Sequence, residues 1–337
     1  MSAVAAPYVK PSFPFHGRDG ITDLHLCASD GEAGESIVYP GPRRVTDVEA
    51  VICVELVERC LALNKRDFMF KQGGAYFRGH RDDRTIGGLW FRLKLLPMSP
   101  PNLDILPSML PQSVSATLMS DRIKRGGLIL ITGAPGAGKT TTASAVVVSR
   151  LTKFGGLAYT LEDPPEIPLD GWHGSGVCHQ GQVLDSEHDS GWSDGFRGIL
   201  RSQPAGSTPM LLVGELREGA AVRASVRAAQ NGFLVIATGF GTTLPESVRS
   251  LATLGADGGD ASTVAFYESL ASTLKIVVYQ RLFSGMVSAS ILAIDDKSTA
   301  SGYVRTGRVE ALESEVSYQL NQSTLADKAI DLLSLGR

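Results

Sequence analysis

The residues whose types and spacing can do chemistry begin with Gly133-Ala134-Pro135-Gly136-Ala137-Gly138-Lys139-Thr140. This is the full G-x-x-x-x-G-K-[ST] pattern of a phosphate-binding loop. Its glycines let the backbone wrap so that successive N–H groups face phosphate oxygens, and a following helix adds its positive dipole end. Lys139 is expected to reach the β- and γ-phosphates, and the Thr140 hydroxyl to ligate Mg²⁺. Thr141 is counted with the loop as a nucleotide contact. The pattern implies ATP with Mg²⁺ as ligand; a glycine-rich turn is the plain alternative.

Two acidic elements lie downstream. Thr160-Leu161-Glu162-Asp163-Pro164-Pro165-Glu166 follows a predicted strand, Leu157 to Leu161. Its carboxylates then fall at the C-terminal edge of a sheet, where α/β folds bind ligands. There they can orient a water or hold Mg²⁺ through its aqua ligands; an Asp-Pro strand-end turn explains the same residues without chemistry. The second element is Met210-Leu-Leu-Val213-Gly214-Glu215-Leu-Arg217. An apolar strand ending in a carboxylate is the layout of a Walker B element. The customary Asp is replaced by Gly214, but Glu215 can still act beside Mg²⁺. The plain reading is a surface Glu after a buried strand.

Other groups carry less. His173, Cys178, His179 and His188, with Asp185 and Asp189, cluster in a glycine-rich polar segment, but their spacing matches no standard zinc site. Trp172 and Trp192 flank that loop and are expected to pack against a neighbouring subunit. Arg217, Arg223 and Arg227 form a basic helical stripe, read as a solvated face ahead of a subunit contact. Among Cys27, Cys53, Cys60 and Cys178 no C-x-x-C pair occurs. Cys53 and Cys60 read as core residues of a helix.

Elements able to position these groups are legible as a pattern. Ile21–Leu26 alternates like a strand, Val45–Leu63 has helical apolar spacing, and Phe68–Phe77 and Leu89–Leu96 are strand-like. Pro97-Met-Ser-Pro-Pro101 breaks the chain. Beyond it, strands at Gly127–Thr132, Leu157–Leu161, Met210–Val213 and Phe233–Thr238 alternate with helices at Gly138–Lys153 and Glu218–Gln230. That alternation implies βαβ units and a mainly parallel sheet. Ile276–Tyr279, Val287–Ile294 and Tyr303–Leu312 read as a further strand cluster, and Ser323–Leu335 as a final helix. The expected organisation is a flexible lead-in over 1–19, an α+β domain over 20–97, a linker over 98–120 and an α/β phosphate-loop domain over 121–337.

Composition narrows the setting. The chain has 337 residues, 32 Lys plus Arg against 35 Asp plus Glu, and is 43% hydrophobic. A formal net charge of −3 argues against an electrostatic nucleic-acid binder, and the apolar fraction against disorder. No apolar run approaches the roughly 18–20 residues that cross a bilayer, and no signal-peptide pattern opens the chain. A cytoplasmic location is expected.

Taken together the segments resemble the secretion-superfamily ATPases of type II and type IV systems, the PilT/DotB-like group. Asp23-Leu-His-Leu26 resembles that family's first strand, and Phe77-Arg78 and Phe91-Arg92 its arginine-bearing strands. Arg125-Gly-Gly-Leu-Ile-Leu-Ile-Thr-Gly133 resembles the lead into its phosphate loop. Glu162-Asp-Pro-Pro-Glu166 resembles its Asp box, and Phe196-Arg197, Leu200-Arg201 and Val213-Gly-Glu-Leu-Arg217 its Walker B region. Ser272-Thr-Leu274 to Gln280-Arg281-Leu282 is similar to its late strand. The resemblance covers about residues 20 to 312.

It implies a homo-hexamer with an N-terminal PAS-like domain and a RecA-like ATPase domain. Glu166 would be the catalytic glutamate and Glu215 the Walker B glutamate, with Glu162 beside them. Asp163, Arg78, Arg84 and Arg92 would contact the nucleotide. Two departures stand out. The family's His box carries histidines where this chain has Phe233 and Phe240, and phenylalanine cannot donate to a phosphate. About four residues are also inserted between Arg201 and Glu215. The absence of a four-cysteine module leans towards the retraction-like or conjugative branch. The expected function is a motor for a type IV pilus or conjugative secretion system. It would be cytoplasmic, peripheral to the inner membrane, meeting a membrane platform and no nucleic acid directly. A slowly hydrolysing assembly switch and a small-molecule kinase are the other readings.

Overall fold

The computed structural model describes residues 21–28, 35–96, 99–106, 110–124, 126–183, 190–256, 258, 260–284 and 286–322. The lead-in, the Ser323–Leu335 helix, Pro97, Arg125, Asp185, His188 and Asp189 lie outside them. The chain divides into two compact units. One runs to Ser99 and takes in Pro164–Pro168; the other holds Pro100–Asp163 and the chain from Leu169 onward.

The first unit comprises β1 (Asp23–Cys27), β2 (Ile37–Tyr39), β3 (Arg43–Arg44), α1 (Asp47–Leu63), β4 (Asp67–Gln72), β5 (Ala75–Asp82) and β6 (Trp90–Leu96). The strands form one sheet in the order β3-β2-β1-β6-β5-β4, and every pairing is antiparallel. Helix α1 starts where Thr46 and Glu49 make a reciprocal capping box and stops at Asn64, which takes φ 46°. Its buried Cys53, Leu56 and Cys60 pack with Leu24, Leu26, Phe68, Phe77, Phe91 and Leu93 of the sheet. Both cysteines are thus core residues, as their spacing indicated. Phe68–Phe77, read as one run, is a hairpin: Gly73 and Gly74 both have positive φ and turn the chain between β4 and β5. This is the α+β layout expected of the N-terminal domain.

The second unit begins with α2 (Gln112–Leu118), a 3₁₀ turn (Asp121–Ile123), β7 (Gly127–Thr132), α3 (Lys139–Phe154) and β8 (Gly156–Leu161). There follow β9 (Gly171–His173), β10 (Gly176–His179), α4 (Ser190–Ser202), β11 (Met210–Glu215), α5 (Gly219–Gln230) and β12 (Leu234–Gly239). It ends with α6 (Leu244–Gly255), α7 (Asp260–Thr273), β13 (Leu274–Phe283), β14 (Met286–Ala293), α8 (Thr299–Arg305), a 3₁₀ turn (Val309–Ala311) and α9 (312–322). The sheet order is β14-β13-β7-β12-β11-β8-β10-β9. From β13 to β10 neighbouring strands run parallel; only the outermost pairs, β13–β14 and β9–β10, are antiparallel.

This mainly parallel sheet between helices is the RecA-like fold. Every residue of β7 and β12 is buried, as a strand covered on both faces requires. Leu128, Leu130, Leu211, Val213, Val235 and Ala237 join a core cluster with α5, α6 and α7 residues. The alternate residues face the other way, where α3 packs on β7, β8, β11 and β12.

Three expectations are corrected. Tyr303–Leu312 is not a strand. Ser298 caps α8 by accepting from the Ser301 N–H, Ala300 and Val304 are buried one turn apart, and Gly307 at φ 68° ends the helix. Arg217 precedes α5 rather than lying on it, so the basic stripe reduces to Arg223 and Arg227. Trp192 is buried in the core cluster on α4 and offers nothing to a neighbour, whereas Trp172 on β9 is exposed. Among the described residues no helix is long and apolar enough to cross a membrane.

Candidate functional site

Strand β7 delivers the chain at the C-terminal edge of the sheet, and α3 carries it away. Between them, Gly133, Gly136 and Gly138 adopt φ of 147°, 76° and 82°, values that residues with a Cβ adopt only under strain. Ala134, Pro135 and Gly136 are exposed, while Gly133 and Ala137 on either side are buried. The loop is therefore a backbone cradle open on one side, at the N-terminus of a 16-residue helix.

Lys139 is buried. Its Nζ donates to the Gly133 carbonyl at 3.0 Å and the Ala134 carbonyl at 3.2 Å, so the ammonium lies beneath the cradle rather than in solvent. Glu215 Oε1 is 3.7 Å from that Nζ. Strand β11 reaches this position through an irregularity: its register with β12 shifts between Val213 and Glu215, placing Glu215 beside Thr238. A Cβ on Gly214 would stand 3.4 Å from Glu162 Cα, an ordinary contact, so nothing in the local packing explains the glycine in place of the Walker B Asp. Arg217 Nε donates to Glu215 Oε2 at 2.6 Å. Thr140 and Thr141 follow on α3, half-buried. Cradle, ammonium, hydroxyl and carboxylate together fit a magnesium nucleotide.

Glu162 is 3% exposed and accepts from Gln180 Nε2 at 2.9 Å. The same amide's Oε1 accepts from the Leu169 N–H at 2.8 Å. Gln180 thus ties together the residues on either side of the Asp163–Pro168 stretch. Asp163 itself is exposed. Glu166, in the stretch that groups with the first unit, is ion-paired with Arg78 of β5 at 2.7 Å. Arg92 of β6 ion-pairs with Asp82, whose Oδ1 also accepts from the Arg84 N–H at 3.2 Å. The structure thus gathers Lys139 and Glu215 at the loop, Arg78 with Glu166, and Arg84 and Arg92 around Asp82.

The histidine–cysteine segment is structural where it is described. His173 bonds the Leu169 carbonyl at 2.7 Å, His179 packs on Tyr159, and burial pushes the Cys178 thiol far above its ordinary pKa. Among the described residues no three His, Cys, Asp or Glu side chains are grouped to hold a metal. Of the two His-box replacements, Phe233 is fully buried edge-on to Phe196 at 5.9 Å, and Phe240 is 51% exposed. Sequence reasoning missed Gln180, and it met Gln280 only within the late strand stretch Gln280-Arg281-Leu282, with no role at the loop.

Residues 93–317 match the protein family described as "Type II/IV secretion system protein". The uncharacterised protein YggR of Escherichia coli is 30% identical over 234 residues, 66% of this chain and 65% of that protein. The type IV pilus retraction ATPase PilT of Pseudomonas aeruginosa is 30% identical over 170 residues, 50% of this chain and 47% of its own length. The chain spans 27% of the Klebsiella pneumoniae type II secretion system protein E, at 34% identity over 43% of this chain. In structure it is similar to the pilus retraction motor PilT with bound ADP, with TM-score 0.66, 22% identity and 90% of each chain covered. It is also similar to the Legionella pneumophila ATPase DotB, with TM-score 0.65, 18% identity, and 94% and 92% covered. With a RecA-like unit, a complete phosphate loop and a family match over two-thirds of its length, the chain belongs to the type II/IV secretion system protein family.

Proposed function

We propose that the chain is an ATP hydrolase that works as a homo-hexameric motor in a type IV pilus or type IV secretion system, including conjugation. The observation that carries this is Lys139 beneath the Gly133–Thr140 cradle with Glu215 3.7 Å from its ammonium, in a chain of this family. The cradle N–H groups and Lys139 would bind the phosphates, and Thr140 would hold Mg²⁺, which supplies charge neutralisation at the transferring phosphoryl group. Glu215 and Glu166, with Glu162, would position the attacking water. Arg78, Arg84, Arg92 and Asp163 are proposed as nucleotide contacts in the assembled ring. We take residues 20–97 and 121–337 as its two domains, joined through 98–120. The setting would be cytoplasmic, against an inner-membrane platform.

Phe233 and Phe240 favour a second reading, an ATP-dependent assembly switch with very slow hydrolysis. Steady-state ATPase assay of the purified assembly separates the two, with Glu215→Gln as control. Turnover well above that control is expected, and turnover equal to it overturns the motor. Lys139→Ala should abolish nucleotide binding under both readings; retained affinity would refute the phosphate-loop assignment.

A further inference from the structure

Strand β13 lies beside β7 and runs parallel to it, with Tyr279 paired to Thr132. The next residue, Gln280, is fully buried. Its backbone carbonyl abuts the start of the phosphate loop: a Cβ on Gly133 would stand 2.2 Å from it. Its side chain meets the loop's far end, where Nε2 donates to the Ala137 carbonyl at 2.6 Å. Among the described residues its Oε1 has no partner. A buried acceptor without a donor is costly and rare; the amide's one hydrogen bond among the described residues is the one to Ala137.

That bond has a directional consequence. In a trans peptide the C=O and the following N–H point in opposite directions. Holding the Ala137 carbonyl against Gln280 turns the Gly138 N–H away from it. Gln280 is interior and residues 134–136 are exposed, so this N–H faces the cradle. Gly138 sits at φ 82° as the N-cap of α3, with no side chain of its own to fix the peptide.

We propose that Gln280 is a positioning residue for the β-phosphate: it clamps the Ala137–Gly138 peptide so that the cradle is pre-formed before nucleotide arrives. Pre-organised donors spend no binding energy on ordering. The proposal rests on the nucleotide-binding reading of the loop and adds a second element, β13, to the site.

The test uses Gln280→Met in the full chain, which keeps length and volume and removes the donor. Binding of Mg²⁺-ADP and of AMP is measured by titration calorimetry, with thermal unfolding of the unliganded protein. ADP affinity should fall about tenfold, the net worth of roughly one hydrogen bond. AMP affinity, lacking the β-phosphate, should move less than about twofold; unliganded unfolding reads how far loss of the orphaned Oε1 offsets the Ala137 carbonyl left without its donor. Equal loss for AMP and ADP, or unchanged ADP affinity, overturns the inference. If Gln280→Met folds poorly, Gln280→Leu replaces it: it also lacks a donor, and the same ADP-selective loss is expected. A parent protein that binds no ADP refutes the nucleotide-binding reading itself, a result distinct from all of these.

Discussion

Replacing Gly133 by alanine puts the loop geometry under direct strain. The added Cβ would meet the Gln280 carbonyl oxygen at 2.2 Å, its carbon at 3.3 Å and Ala137 Cβ at 3.3 Å. Real contacts to a carbonyl oxygen begin about 1 Å further out, so backbone must move. Neither side can yield cheaply. Thr132, immediately before Gly133, is registered with Tyr279 of β13 and Gly239 of β12, and Gln280 follows Tyr279. The substitution also forces a side chain into φ 147°. Strain of this kind costs about 1–3 kcal/mol, and enforced displacement in a packed interior about 1–3 kcal/mol more. The central expectation is roughly 4 kcal/mol, which in a domain of this size lowers Tm by about 8–16 °C. Gly136→Ala is the matched control. Its φ is 76° but nothing lies within 4 Å of the added Cβ, so only the left-handed penalty of about 1–2 kcal/mol applies. Differential scanning calorimetry and Mg²⁺-ADP titration read both variants. Gly133→Ala should be the less stable and bind ADP at least about tenfold more weakly than the parent, a loss worth about 1.4 kcal/mol. Equal melting temperatures for the two variants would refute the assigned contact between the loop and β13.

Phe233→His should lower stability by roughly 1–3 kcal/mol without raising ATP turnover, because a fully buried imidazole beside Phe196 gains no partner there; a calorimetric scan with a phosphate-release assay checks both. Phe240→His, at a 51% exposed position, should leave Tm within a few degrees and raise turnover, and unchanged or lower turnover would count against a phosphate-side role. Glu49 in the first unit is held at about 2, below its ordinary 4.5, chiefly by its hydrogen bond from Arg43. A lowered folded-state value stabilises above the unfolded value and is lost as pH falls through 4.5 towards 2. With Arg43 partly solvent-screened, the pair is worth about 1 kcal/mol. The Tm gap between the parent and Glu49→Gln should therefore shrink from about pH 6 to about pH 3.

The phosphate loop was legible because each of its glycines answers a local demand: positive φ at Gly133, Gly136 and Gly138, with Gln280 against the first. Strands β7, β11 and β12 were legible because burial on both faces makes them continuous apolar runs. Elements fixed by distant partners were not. The polar, glycine-rich stretch from 171 to 179 forms β9 and β10 only because β10 finds an edge along β8, Gly176 against Gly156. Tyr303 and Val304 have strand-like side chains, yet the Ser298 cap and the buried Ala300–Val304 spacing make α8. Trp192 looked available to a neighbour until α4 turned it inward. Gln280 could not be singled out, since nothing local says which face of β13 meets the loop.

The same register logic separates the two phenylalanines that replace the family's histidines. Strand β12 runs parallel to β7, with Leu234 opposite Gly127 and Gly239 opposite Thr132. Phe233 therefore precedes the strand at the end away from the phosphate loop, about 20 Å from it at the usual rise per residue. Phe240 follows Gly239 at the level where β7 becomes Gly133. A histidine at 233 could act on nucleotide only through packing, and there phenylalanine does the packing as well: it seats against Phe196 with no polar atom to satisfy. Only the change at 240 removes a hydrogen-bonding group from the phosphate edge. The His-box departure is thus one chemical loss and one core substitution. Of the two proposed readings, the motor therefore has to accommodate one altered group at the phosphate edge, at Phe240, and not two.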